Sequence, residues 1–332
     1  MASLRRAFCI AAMMAAAVVA ASPTSAQQPW PSRFVRLVVA GGSGTSADVA
    51  ARVVSHHLAE LWGQQVIVEN RPGAGGVAGA ASIAQSTPDG YSLLFSQSAP
   101  LSLSPHVVKP VPYDVERDFE PVIFIGMVPF VLAANEKLPV GNLAEFIAYA
   151  RKEPGKVSFA TSAAGSAPHL AAVLFQRMAG MQMVHVPYVG YPRAIQDTLS
   201  GFVDVIFANP QIIQSQTGKL RMLGVTTANR VADHPDIPAI AEALPGFAIS
   251  GWVAVLAPKG TPPALVAKIN ADVAAILSIP EVTKRLRDLG VYPDLESLGT
   301  PQALMQFIRQ DSALMESLIK AAAIKAEGGA PN

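Results

Sequence analysis

The sequence predicts an α/β protein in which open, doubly wound sheets are flanked by helices. Most strand-like segments are apolar throughout, which is typical of strands whose sheet is covered on both faces. Segments with helical spacing of apolar residues separate those strands. Two of the strands run into a short turn rich in Gly, Ser and Thr and then into an amphipathic helix. These two turns occupy residues 41–46 and 161–166.

The strands and helices alternate along most of the chain. Apolar spacing predicts helices at 49–61, 143–150 and 167–178, and Asn142 with Glu145 forms a capping box before the second helix. Three further helices follow the last strand, two of them opened by Thr261-Pro262 and Thr300-Pro301. The predicted strands are 35–39, 66–69, 92–95, 121–133, 157–159, 203–207, 220–226 and 252–257.

Residues 1–26 have the three parts of a secretory signal peptide. Arg5 and Arg6 precede an apolar run at 7–20, and the small residues 24–26 follow. The run is shorter than the roughly 20 residues that a membrane-spanning helix needs, which disfavours an N-terminal anchor. We expect export and cleavage after Ala26. Cys9, the one cysteine in the chain, is then removed, so the mature protein has no disulfide or cysteine metal ligand.

Composition excludes several classes of function. The formal net charge is +1, and loss of the two arginines with the signal peptide makes it −1. No long basic run is present, so nucleic acid and anionic membranes are not expected partners. With 51% hydrophobic and 15% charged residues, a chain of this length can bury a large core and form two domains.

The two turns predict a binding site between the domains. Open α/β sheets bind ligands at the carboxyl ends of their strands, and unpaired N–H groups at helix starts attract anions. The chain is expected to cross between domains near 124–131 and 247–255. The first domain then comprises 27–128 plus 252–332, and the second comprises 129–251.

Several motifs occur in the order typical of one family. They are Glu69-Asn70-Arg71-Pro72-Gly73-Ala74-Gly75-Gly76, Pro88-Asp89-Gly90-Tyr91, Gly165-Ser166-Ala167-Pro168-His169-Leu170, His185-Val186-Pro187-Tyr188 and Gly260-Thr261-Pro262-Pro263. Through these motifs the chain resembles the substrate-binding proteins of the tripartite tricarboxylate transporter family, the Bug receptors. The resemblance implies a periplasmic, two-lobed binding protein of type II-like fold, with the ligand cleft between its lobes. It also implies capture of a small carboxylate, or a related organic acid or amide, and delivery to a two-subunit membrane permease.

The resemblance implies a pocket built from backbone N–H groups, hydroxyls and bridging waters. Asp48 is expected to hold the shape of the first turn, and His169 to be a packed helix histidine. Tyr188 and Asn209 are either pocket wall or loop scaffolding. We expect a monomer without a cofactor, metal ion or catalytic residue. The candidate ligand-binding residues are Gly42, Ser43, Gly44, Thr45, Ser46, Asp48, Ser96, Ser98, Thr161, Ser162, Gly165, Ser166, His169, Tyr188 and Asn209.

The chain departs from the family pattern at three places. Residues 41–43 stand where relatives commonly carry Phe-Pro-Pro, and Ala208 stands where an Asp usually precedes the Asn. Val189 and Tyr191 follow the second-domain motif where polar residues are common. The first change makes the first turn more flexible and slightly roomier. The other two make the rim of the second lobe less charged and more apolar. We hypothesise a substrate with an aromatic or aliphatic body rather than a citrate-like tricarboxylate.

Two other functions remain open at this stage. The receptor could report its ligand to a sensor kinase instead of a permease. A periplasmic hydrolase could use Ser43, Ser162 or Ser166, but only His169 is close in sequence as a base. A dinucleotide site at 73–78 is disfavoured because three residues separate its glycines from the preceding strand. We interpret that segment as a structural turn.

Overall fold

The computed structural model describes residues 30–162, 166–188, 190–214, 219–321 and 327–328. The signal peptide and Gly165 therefore lie outside the described residues. The chain divides into a short unit that ends at Arg33 and a large unit that begins at Phe34. In the short unit the peptide bond between Trp30 and Pro31 is cis. None of the described helices combines the length and apolar character needed to cross a membrane.

The first sheet of the large unit has five strands in the order β2-β1-β3-β11-β5. Strand β1 is parallel to β2 and β3, whereas β11 is antiparallel to β3 and β5. The glycine turn at 41–44 follows the carboxyl end of β1. The strand bounds are β1 Val35–Val39, β2 Val66–Asn70, β3 Ser92–Gln97, β5 Phe119–Val128 and β11 Gly251–Pro258.

The second sheet also has five strands, in the order β10-β6-β9-β7-β8. Strand β7 is parallel to β8 and β9, and β6 is antiparallel to β9 and β10. Two short strands, β4 at Val108–Lys109 and β12 at Glu327–Gly328, pair separately. The bounds are β6 Val131–Asn135, β7 Ser158–Thr161, β8 Val184–Pro187, β9 Val205–Ala208 and β10 Leu220–Val225. Two mixed sheets flanked by helices confirm the predicted α/β class.

Thirteen α-helices are assigned among the described residues. A 3-10 turn at Ala74–Gly76 and a π turn at Ala99–Leu103 accompany them. The helices are α1 Ser46–Trp62, α2 Val77–Ala84, α3 Ser104–Val107, α4 Val115–Asp118, α5 Leu143–Lys152, α6 Ala167–Ala179, α7 Tyr191–Ser200, α8 Pro210–Gln214, α9 Ile240–Ala243, α10 Pro263–Leu277, α11 Pro280–Asp288, α12 Leu295–Leu298 and α13 Pro301–Ala321.

The prediction of one continuous strand over 121–133 is wrong. The segment forms β5 in the first sheet and β6 in the second, separated by Pro129 and Phe130. Phe130 donates its N–H to the Thr226 hydroxyl at 3.1 Å and accepts the Thr226 N–H at 2.9 Å. These bonds tie the break between β5 and β6 to Thr226, the residue that follows β10. An apolar run alone does not reveal such a break, because both strands are buried.

The apolar strands of the second sheet are explained by cores on both of its faces. Leu132 and Phe207 face one core, whereas Val131 and Ile206 face the other. Successive strand residues point to opposite faces, so both sets must be apolar. The core of the first sheet includes Leu94, Phe124 and Trp252.

Helix α13 connects the cores of the two sheets. Leu304 and Ile308 pack in the core of the first sheet, and Met315 and Leu318 pack in a core of the second. The predicted assignment of all of 252–332 to the first domain stays a prediction.

The glycines after β2 form a packed turn. An added Cβ at Gly76 would lie 2.7 Å from the Ala40 carbonyl oxygen, and one at Gly79 would lie 2.8 Å from the Ala40 Cα. The turn leads into helix α2, and these glycines lie in close contact with Ala40, the residue that follows β1. Close packing accounts for them, in agreement with the structural interpretation of residues 73–78.

Candidate ligand-binding site

A cavity of about 850 Å³ lies between the carboxyl ends of strands from both sheets. Helix starts and turns that follow strands of both sheets contribute to its wall. Eight of the candidate residues line this cavity: Ser43, Gly44, Thr45, Ser46, Ser98, Ser162, Ser166 and Asn209.

The first turn ends at the N-cap of helix α1. Thr45 has an extended backbone, with φ −71° and ψ 160°, and its hydroxyl accepts the Asp48 N–H at 3.3 Å. The same hydroxyl donates to the Gly42 carbonyl at 2.9 Å. Gly44 adopts φ +80°, a left-handed conformation that favours glycine. The local sequence therefore places Ser43, Gly44 and the first helical residue, Ser46, on the cavity wall.

Asp48 lies beneath the first turn rather than on the cavity wall. Its side chain is 3% exposed and accepts hydrogen bonds from the Gly44 N–H at 2.8 Å and from Asn70 Nδ2 at 2.9 Å. Arg52 forms an ion pair with it at 2.9 Å. Burial tends to raise the pKa of this carboxyl, but the bonds from Gly44, Arg52 and Asn70 outweigh burial and lower it. The carboxylate therefore holds the turn.

The second turn places Ser162 and Ser166 on the opposite wall. Ser166 is the N-cap of helix α6, with φ −76° and ψ 163°, and Pro168 lies in the first helical turn. The Ser162 carbonyl oxygen accepts a hydrogen bond from the Gly190 N–H at 2.9 Å. This bond ties the second turn to the start of the next helix, α7.

The start of helix α7 is a third helix N-terminus at the cavity, which sequence reasoning missed. Gly190, with φ +83°, is its N-cap, and Tyr191 and Pro192 line the cavity after it. Burial raises the pKa of Tyr191 to about 12, while a hydrogen bond with Ser162 opposes that shift. The Gly-Tyr-Pro sequence is a start signal that could have predicted this helix.

In addition to Asp48, five of the described candidate residues lie away from the cavity wall. Ser96 is fully buried and donates to the Gln97 carbonyl at 2.8 Å, and Gly42 is a carbonyl acceptor within the first turn. Tyr188 donates its hydroxyl to Asp197 at 2.9 Å, which favours loop scaffolding over pocket wall. The remaining two, Thr161 and His169, belong to the packing beneath the second turn.

His169 stacks on His185 beneath the second turn. The ring centroids are 3.9 Å apart with an interplanar angle of 12°, and Phe159 stacks on His185 at 4.7 Å. His185 Nε2 lies 2.7 Å from the Thr161 hydroxyl. Burial lowers the pKa of each histidine to about 4, and for His169 the neighbouring ring adds to the shift. Both rings are therefore neutral at pH 7, and His169 is a packed histidine.

Asn209 lies where the two halves meet, and its neighbour Gln211 was missed by sequence reasoning. Asn209 accepts the Gln211 N–H at 3.0 Å, and Gln211 donates to the Tyr292 hydroxyl at 3.0 Å. Opposite them is Gly290, where an added Cβ would lie 2.6 Å from both Asn209 Nδ2 and Gln211 Oε1. A glycine at 290 is therefore needed for this close approach.

Much of the cavity wall is apolar, and sequence reasoning did not find these residues either. They come from both sheets and from helix starts, so no local pattern joins them. The apolar side chains include Val49, Val128, Phe130, Tyr191, Pro192, Ile212, Trp252, Val253 and Leu289. The wall can therefore cover a hydrocarbon or aromatic body.

The cavity wall has few charges. Among the described lining residues Asp288 is the one Asp or Glu, and that described lining contains no Lys, Arg or His. Residues 163–165 and 189, beside the second turn, are uncharged in the sequence. An anion held here is stabilised by helix N-terminal amides and hydroxyls instead of a cationic side chain. The described residues also contain no cluster of three or more His, Cys, Asp or Glu that could hold a metal.

A two-lobed α/β fold with its cavity between two sheets defines the class of periplasmic solute-binding proteins. The chain matches the tripartite tricarboxylate transporter family receptor, TctC, over residues 50–324. It belongs to this family of solute-binding receptors, as the motifs predicted.

Relatives and solved structures agree with this assignment. Protein BugT of Bordetella pertussis is 37% identical over 295 residues, which cover 88% of this chain and 89% of BugT. The structure of R. palustris Rpa4515 with adipate is 35% identical, with a TM-score of 0.78 over 89% of this chain and 99% of that one. MatC from Rhodopseudomonas palustris with bound malate is 30% identical, with a TM-score of 0.73 over 87% and 100% of the two chains.

Proposed function

We propose that this chain is an exported receptor that captures a small organic carboxylate in the cavity and delivers it to a tripartite tricarboxylate permease. It acts by binding and closure, without catalysis. Cleavage after Ala26 releases the mature receptor into the periplasm. The family assignment supports the transport role, and the adipate and malate of the two related structures support a carboxylate ligand.

The observation that carries this proposal is the convergence of three helix starts on one cavity. Helices α1, α6 and α7 begin at Ser46, Ala167 and Tyr191, and all three starts line the wall. The first N–H groups of a helix have no partner within the helix, and the helix dipole places partial positive charge there. A carboxylate between the turns receives these donors from both halves of the protein.

Binding between the two halves also explains closure. A ligand that touches both walls interacts more strongly with the closed state than with the open one, and this difference drives the change. The apolar wall supports a substrate with an aliphatic or aromatic body, as hypothesised from the sequence.

A thermal-shift panel of the mature protein tests the proposal. The panel contains mono- and dicarboxylates, aromatic acids and the corresponding neutral alcohols. A ligand at a hundredfold excess over its Kd stabilises by about 2.7 kcal/mol, which raises Tm by several degrees. A shift confined to carboxylates supports the receptor, whereas equal shifts with the alcohols would contradict it.

A substitution at Ser46 tests the role of helix-start amides directly. Ser46 is the first residue of α1, and Thr45 before it is extended, so proline fits the backbone. Ser46→Pro removes one N–H and one hydroxyl from the wall, whereas Ser46→Ala removes the hydroxyl alone. We expect Ser46→Pro to weaken carboxylate binding about tenfold relative to Ser46→Ala, measured by calorimetry. Equal affinities would show that this amide does not contact the ligand.

A further inference from the structure

The junction of Asn209, Gln211 and Gly290 contains two buried polar atoms without a partner. They are the donor Asn209 Nδ2 and the acceptor Gln211 Oε1. Both residues line the cavity, and Asn209 is only 6% exposed. A buried polar atom without a hydrogen bond is costly, so native structures leave few of them.

The hydrogen bonds around these side chains fix which atom is which. Asn209 Oδ1 accepts the Gln211 N–H, so the other terminal atom of Asn209 is the NH2 donor. Gln211 Nε2 donates to the Tyr292 hydroxyl at 3.0 Å and the Arg287 carbonyl at 3.3 Å, so its remaining terminal atom is the acceptor. The unpaired atoms are therefore one donor and one acceptor, side by side against Gly290.

The charge around this end of the cavity disfavours a second carboxylate. Asp288 lies two residues before Gly290 and also lines the cavity, and the described lining has no cation to offset a second negative charge. The Lys284 ammonium lies 2.8 Å from the Asp288 carboxylate but is not part of the lining. A carboxylate here could accept from Asn209 but would also meet the acceptor Gln211 Oε1, and Asp288 places a like charge in the same lining.

We propose that Asn209 and Gln211 select a ligand whose second pole is a neutral donor–acceptor group, specifically a primary carboxamide. This inference rests on the proposed carboxylate-receptor function. The carbonyl oxygen of a carboxamide accepts from Asn209 Nδ2, and its NH2 group donates to Gln211 Oε1. One carboxylate is held at the helix starts, and the apolar wall covers the body between the two poles.

The location of the pair couples this recognition to closure. Asn209 and Gln211 follow strand β9 of the second sheet, whereas Gly290 follows helix α11, which packs with α1 and α10 beside the first sheet. Because both unpaired atoms are covered in this state, the amide pole enters while the Gly290 segment is apart from them. A bound carboxamide gives both atoms a partner, and on closure Gly290 then lies against the carboxamide instead of against the two side chains.

Calorimetry with matched ligands tests the proposal. For chains of four, five and six carbons, the mature protein is titrated with the dicarboxylate, its monoamide and the simple alkanoate: succinate, succinamate and butyrate; glutarate, glutaramate and pentanoate; adipate, adipamate and hexanoate. We expect the monoamide of the fitting length to bind at least tenfold tighter than its dicarboxylate and alkanoate. A dicarboxylate or alkanoate that binds as tightly as its monoamide overturns the inference while leaving the carboxylate receptor intact. Absence of binding by all nine overturns both.

Two variants assign the selectivity to the pair. Gln211→Met removes the acceptor and should lower the preference for the monoamide at least fivefold. The control, Gln214→Met, lies exposed on the same helix and should keep the preference. Asn209→Asp replaces the donor with a carboxylate and should shift the preference from adipamate to 6-aminohexanoate. An unchanged monoamide preference in both Gln211→Met and Asn209→Asp, with circular dichroism as in the parent protein, would overturn the assignment.

Discussion

Gly44 donates its backbone N–H to the Asp48 carboxylate at 2.8 Å, so an acid in the first turn of helix α1 binds the turn that precedes it. Asn70, at the end of β2, donates to the other carboxylate oxygen at 2.9 Å. Hydrogen bonds from Gly44 and Asn70 and the ion pair with Arg52 therefore compensate the negative charge of the Asp48 carboxylate. An acid close to a proposed anion site is compatible with binding because it is buried and fully engaged.

We expect Asp48→Ala to lower the free energy of unfolding by about 3 kcal/mol. The substitution leaves the Gly44 N–H and Asn70 Nδ2 without their buried acceptor, and losing one partner of a buried charged network costs this much. Urea denaturation measures the change. Glu60→Ala, at an exposed position on the same helix, is the control and should leave the midpoint unchanged. A loss confined to ligand affinity would mean that Asp48 contacts the ligand instead.

The parts of the site predicted from sequence are those that local rules determine. A turn, an N-cap and a helix start within six residues specify the first wall, and Thr45 caps α1 as such a pattern predicts. The role of Asn70 depends on β2 pairing beside β1 in parallel register, which no local pattern specifies. Gln211, Asp288 and Trp252 likewise reach the cavity only through the tertiary fold.

Strand β8 is not among the strands predicted from the sequence, and its position in the sheet explains why. It is an edge strand of the second sheet, paired only with β7, and its apolar residue Val184 is 49% exposed. Its sequence, Val-His-Val-Pro, is short and ends in proline, which is common on sheet edges but gives little strand signal. Missing β8 also concealed helix α7 and therefore the third helix start.

The stacked His169 and His185 should make stability depend on pH. Their pKa values in the folded protein, about 4, are lower than the value of about 6.5 expected in the unfolded chain. The unfolded chain therefore takes up protons first, and stability is lost as pH falls from about 6.5 towards 4. The expected slope is on the order of 1 kcal/mol per pH unit for each histidine, measured by urea denaturation between pH 7 and 4.

His185→Gln should flatten this dependence, because it removes one titrating ring while keeping a polar group near the Thr161 hydroxyl. His56→Gln is the control, since the His56 side chain is 70% exposed and lies outside the stacked pair. An identical slope in His185→Gln and the parent protein would show that other groups cause the acid sensitivity.

Asp311 should stabilise the wall behind Trp252. Its carboxylate accepts the Trp252 indole N–H at 2.8 Å and the Ser102 hydroxyl at 2.5 Å. Asp311→Ala leaves both buried donors unpaired and should cost about 3 kcal/mol by urea denaturation, whereas Asp311→Asn keeps an acceptor and should cost less. Equal losses in the two variants would mean that side-chain volume, not the acceptor, matters.

Protonation of Asp311 should partly offset the loss of stability that the histidine pair causes as the pH falls. Burial raises the pKa of this carboxyl above its ordinary value, although the bonds from Ser102 and Trp252 limit the rise. The folded state therefore takes up this proton before the unfolded chain does, and stability increases as pH falls through that range. In the same denaturation series, the free energy of unfolding of Asp311→Asn should fall more steeply with decreasing pH than that of the parent protein. A shallower slope would contradict this sign.

Gly290→Ala should hold the cleft open. Its Cβ would lie 2.6 Å from Asn209 Nδ2 and from Gln211 Oε1, and Gly290 also has φ +77°. Gly246→Ala is a matched control, because Gly246 has φ +87° but no atom within 4 Å of an added Cβ. Both variants should lose about 1 kcal/mol of stability from the left-handed backbone. Only Gly290→Ala should also weaken carboxylate binding, by about tenfold, and enlarge the radius of gyration in X-ray scattering with ligand. If both variants bind and scatter alike, the approach of Gly290 to Asn209 and Gln211 is not what limits closure.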